Sequence, residues 1–148
     1  MSSNYLLSIE TVSVVDGEKD FSLKEYSCSF SGDKDDCILK YEEETEDGAA
    51  TTTMHYIKRK GLSIKRESEM QSFLIVEKNK RHLSHLRTPY GVFEIGVTGT
   101  ELLCEIEEQS GKLFFDYTTD TNGSPLGVMS FKLRFYKKGT EKPEDFRL

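Results

Sequence analysis

The chain predicts a single all-β domain, an antiparallel barrel of roughly 8–10 strands with at most short helices, and three observations lead there. Turn signals recur at residues 16–17 (DG), 31–33 (SGD), 46–48 (EDG), 60–61 (KG), 78–80 (KNK), 88–91 (TPYG), 109–112 (QSGK) and 121–124 (TNGS). The runs between them are rich in β-branched and aromatic residues, and several alternate apolar with polar. No strand is followed by the long helical pattern that a parallel βαβ unit needs. A chain of 148 residues suits one domain and buries roughly 70% of its unfolded surface.

The first 20 residues, MSSNYLLSIETVSVVDGEKD, have neither a basic start nor an apolar run long enough for a signal peptide. No segment approaches a membrane span, so a cytoplasmic protein without membrane contact is expected. The run at 38–44, ILKYEEE, and the run at 62–68, LSIKRES, read as strands. From Arg66 to Leu86 the residues Met70, Phe73 and Leu74 also fit a helical stripe. The aromatic and β-branched content of residues 72–76 favours a strand, with a return strand from Arg81 after the KNK turn. In RTPYGVFEIGVTG (87–99), Pro89 and Gly91 suit a corner, and Phe93, Ile95 and Val97 alternate inward. Gly96 and Gly99 mark bends or bulges in that long strand. Leu113, Phe115 and Tyr117 share one strand face; Met129, Phe131, Leu133 and Phe135 share another. Asn122-Gly123 between them supplies the two positive-φ residues of a type I′ hairpin turn. The core is expected over about 5–137, followed by a polar, frayed tail at 138–148.

Twenty Lys and Arg against 26 Asp and Glu give a net charge of −6, which repels a phosphate backbone and disfavours nucleic acid. The basic residues Lys58, Arg59, Lys60, Lys65, Arg66, Lys78, Lys80 and Arg81 divide between strand faces instead of forming one stripe. Cys28, Cys37 and Cys104 are odd in number and lack a C-x-x-C spacing, which fits reduced, partly buried thiols.

Three pieces stand in a distinctive order: ILKYEEE at 38–44, LSIKRES at 62–68 and RTPYGVFEIGV at 87–97, followed by the Gly-Lys-Leu strand and a final amphipathic hairpin. This series resembles the YwiB-like family of uncharacterised bacterial proteins, over roughly residues 5–137. The resemblance implies a calycin-type, lipocalin-like β-barrel and a candidate pocket, but no reaction. Tyr41, Glu42 and Glu43 match the family's Tyr-Glu-Glu strand, Arg66 its arginine, and Tyr90 with Gly91 its aromatic-glycine corner. Where the family usually has a glycine two residues after the arginine, this chain has Ser68.

Side-chain parity puts Leu39, Tyr41 and Glu43 on one strand face and Leu62, Ile64 and Arg66 on one face of another. Both faces begin apolar and end charged. If both look inward, Glu43 and Arg66 either close an ion pair that sets register, or Arg66 grips a carboxylate or phosphate in a pocket. His82 and His85 are three apart and therefore point to opposite strand faces, so no metal site is expected from them with His55. No nucleophile motif or phosphate-cradling loop occurs, and the acidic run at 42–47 suits a solvated hairpin end. The expected function is noncatalytic binding of a small amphipathic ligand, with Tyr41, Glu43, Arg66 and Tyr90 as binding residues, and no cofactor, metal or catalytic residue. The alternatives are an interaction or assembly module with a side-chain-filled barrel, and an enzyme built from the same residues. A homodimer is compatible with either of the first two.

Overall fold

The structure is a computed structural model that describes residues 4–46 and 48–146. Its strands are β1 (Tyr5–Val15), β2 (Glu18–Gly32), β3 (Asp36–Thr45), β4 (Gly48–Ile57), β5 (Gly61–Glu67), β6 (Gln71–Val76), β7 (Arg81–Thr88), β8 (Gly91–Ile106), β9 (Ser110–Thr121) and β10 (Ser124–Lys137). Each pairs antiparallel with its neighbours in sequence, and β1 pairs with β10, so the sheet closes on itself with no open edge. No helix occurs among the described residues.

Tight turns make the closure. Asn122 and Gly123 both have positive φ, at 52° and 89°, as a type I′ turn requires. The ambiguous stretch after Arg66 forms β6 and β7, as its β-branched and aromatic residues favour. This is the thinnest ladder of the barrel: only Gln71, Ser72 and Phe73 pair with Arg87, Leu86 and His85. Where the pairing lapses, the buried Ser84 hydroxyl donates to the Phe73 carbonyl, so that acceptor keeps a partner.

Two glycines inside β8, Gly96 and Gly99, do different work. Register shifts between Gly99 and Glu101, a bulge, and a Cβ on Gly99 would strike the Glu77 backbone that lies against it. A Cβ on Gly96 would strike Arg81 and Asp120, whose ion pair lies across it.

The barrel interior is packed with side chains. Leu7, Leu39, Met54, Leu62, Ile64, Val76, Leu113, Leu133 and Phe135 are buried in one cluster. Phe115, Tyr117 and Phe131 stack nearly parallel on one side, with centroids 4.9–6.3 Å apart. At the end ringed by Phe30, Cys37, Tyr56 and Cys104 the remaining void is about 10 Å³, about the least that could hold one water. That end is closed by packing.

The tail is docked where fraying was expected. Lys132 pairs with Asp145 at 2.9 Å, Phe146 meets Phe114 edge-on, and Lys112 lies 5.1 Å above the Phe146 ring. One aromatic residue and one carboxylate supply anchors that the polar composition of the tail concealed. Residues 147 and 148 lie outside the described residues.

Candidate binding site at the barrel mouth

In an up-and-down barrel alternate turns lie at alternate ends, so the β3–β4, β5–β6 and β7–β8 turns share one end. Tyr41 and Glu43 near the end of β3, and Arg66 near the end of β5, therefore reach the same mouth, separated by β4. They line a half-open pocket of about 230 Å³, together with Ile9, Thr11, Ser22, Lys24, Tyr26 and Phe131.

The wall formed by β2, β3 and β5 is an internally satisfied network. Arg66 Nη1 donates to Glu43 Oε1, and Tyr26 Oη donates to Glu43 Oε2 at 3.1 Å. The pair is asymmetric in burial, since the Glu43 side chain is 13% exposed and that of Arg66 39%. Glu43 is thus the group that needs its partners most. The Tyr26 and Tyr41 rings stack at 4.9 Å. Burial, the hydrogen bond to Glu43 and the Glu43 charge together push the Tyr26 hydroxyl up to about 12. Burial likewise raises Tyr41. Thr52 Oγ1, beside Tyr41 in the β3–β4 ladder, is buried without a hydrogen-bond partner among the described residues.

Three of the four residues expected at the site are therefore together, and Tyr90 is apart. It belongs to the two-residue link between Thr88 and Gly91, beyond the last ladder pair, and is 94% exposed. Phe93 has inward parity but is 53% exposed, because the β7–β8 hairpin projects at the rim. Leu39 and Ile64 are packed in the core below the pocket. Lys24, Tyr26, Thr11 and Phe131 were missed. The signal was present in β2, where Ser22, Lys24, Tyr26 and Cys28 share one face, but it is readable only once that run is known to be a strand.

Each histidine faces a carboxylate: His55 with Asp36, His82 with Glu77 and His85 with Glu94. No group of three metal-ligating side chains occurs among the described residues. Most cations of the basic set are also paired, Lys58 with Asp35, Lys65 with Glu67, Lys78 with Glu101, Lys80 with Glu77 and Arg81 with Asp120.

A family model for a domain of unknown function, DUF1934, matches residues 7–133. The chain belongs to this family. The crystal structure of the ywiB protein from Bacillus subtilis is similar to the DUF1934 barrel described here, with a TM-score of 0.79 over 92% of each chain at 13% identity. That likeness shows the fold and bears out the resemblance to the YwiB-like family. No curated protein matches the chain.

Proposed function

We propose that this DUF1934 barrel is a noncatalytic, lipocalin-like binding protein that takes a small amphipathic ligand at its mouth. The observation that carries this reading is the half-open pocket of about 230 Å³, which combines the aromatic faces of Tyr26, Tyr41 and Phe131 with the charges of Lys24, Glu43 and Arg66. Aromatic faces beside placed polar groups suit a small-molecule site, and here polar groups make up most of the lining, which fits a polar head better than a long apolar body. The volume lies below the about 300–1,000 Å³ of ordinary ligand pockets, so the ligand is short or leaves its tail outside. Met70, Tyr90, Val92 and Phe93 stand exposed at the same end and offer that tail an apolar rim. Cys28, Cys37 and Cys104 are free thiols, which suits action in a reducing compartment such as the cytoplasm.

The interaction-module reading has its own support in the packed far end and in Phe21, Leu23 and Val128, exposed on the outer wall. Native mass spectrometry of protein purified from its own host, with release and identification of any adduct, separates the two. A stoichiometric acid-headed amphiphile supports ligand binding; a bare monomer mass with a co-purified protein partner supports the module.

A further inference from the structure

The two walls of the mouth pocket differ in how their polar groups are satisfied. On the wall that carries Arg66, the charge is taken by Glu43, and Glu43 is also held by Tyr26. On the adjoining β1–β2 wall, which continues from Tyr26 along the same face of β2, Thr11, Ser22 and Lys24 also line the pocket, and none has a side-chain partner among the described residues. Thr11 and Ser22 are direct partners in the β1–β2 ladder, and Lys24 follows Ser22 on the same face of β2. Their spacing puts two hydroxyls and one ammonium on adjoining positions of one wall.

We propose that the acidic head of the ligand is held by Lys24 with the hydroxyls of Thr11 and Ser22, whereas Arg66 is a positioning residue that holds Glu43 and, through it, Tyr26. This rests on the ligand-binding reading and deepens it. A carboxylate only accepts hydrogen bonds, and this wall presents three donors: the Lys24 ammonium and two rotatable hydroxyls. An anion brought to Arg66 instead would have to displace or approach Glu43, a like charge. The pocket lining holds two cations and one anion, so Lys24 is the charge left to be neutralised. The ligand class is a short-chain monoanionic amphiphile, with its apolar part against Phe131 and the Tyr26–Tyr41 stack.

Calorimetric titration of the full chain with octanoate and with 1-octanol tests this. The wild type is expected to prefer octanoate. Lys24→Met removes that preference, lowering octanoate affinity about tenfold or more, the size of a charge-assisted hydrogen bond, while leaving octanol unchanged. Lys24→Arg restores the preference. Lys19→Met, the same change of charge on the outward face of β2, leaves both ligands unaffected. If Lys24→Met keeps the wild-type preference and Arg66→Met loses it in a protein with wild-type circular dichroism, the assignment to Lys24 is overturned and the binding reading stands. If the wild type binds neither probe, both fall.

Discussion

At the scale of single residues, the ion pair of Arg66 and Glu43 is where the sequence said most. Parity alone put both on faces that begin apolar and end charged, and the structure joins them. It could not reveal that Glu43 is also held by Tyr26, because β2 carries no clear alternation: its outward Phe21 and Leu23 are as apolar as its inward positions. A double-mutant cycle with Arg66→Met and Glu43→Gln should show a coupling of about 1.5–3 kcal/mol, that of a charge-assisted hydrogen bond, above the ~0.2–1 kcal/mol of an exposed pair. Denaturant unfolding of the four proteins measures it, and additivity would mean that the pair only coexists. The tyrosines add a pH dependence. Tyr26 and Tyr117 are pushed up to about 12 from an ordinary 10. A folded-state value above the unfolded one means stability that is complete below pH 10 and is lost as pH rises towards 12. Thermal melts between pH 9 and 12 should fall in that window, and Tyr26→Phe should flatten the fall.

At the scale of elements, the hairpins were the most legible features, since Asn122-Gly123 names its turn type outright. The β8 glycines were legible as irregularities but not in kind. Gly99 makes a bulge, whereas Gly96 clears space for Arg81 and Asp120, an arrangement that depends on residues 15 and 24 positions away. Asp120 accepts from Arg81 Nη2 at 2.7 Å and from the Gly123 amide at 3.0 Å, so it ties the β9–β10 turn to β7 across β8. Those bonds hold its carboxyl down at about 2. A depressed carboxyl contributes stability above its unfolded value, near 3.9, and that contribution disappears as pH falls from about 4 to about 2. Asp120→Asn should therefore melt below wild type at pH 7 and converge with it near pH 2. Gly96→Ala, which puts a Cβ where the Arg81 and Asp120 side-chain ends meet, should push that pair apart and cost no more than the ~0.2–1 kcal/mol of an exposed ion pair. A loss well above that would mean that the pair cannot move aside.

At the scale of the whole molecule, the barrel class was readable because regular turn spacing leaves no room for crossover helices, and the far-ultraviolet spectrum should accordingly show β-structure with no helical minimum at 222 nm. How full the barrel is was not readable, since nine Phe and seven Tyr could line a cavity or fill it. The Phe115–Phe131–Tyr117 stack and the packed far end fill most of it, and the mouth pocket lined by Tyr26, Tyr41 and Phe131 is the site proposed for a ligand. Backbone amide NMR of the labelled protein titrated with octanoate addresses this most directly. Saturable shifts concentrated on Thr11, Ser22, Lys24, Tyr26, Tyr41 and Arg66 are expected, with little change at Phe21 or Leu23; shifts confined to the outer wall, or none at millimolar octanoate, would contradict a ligand site in the mouth.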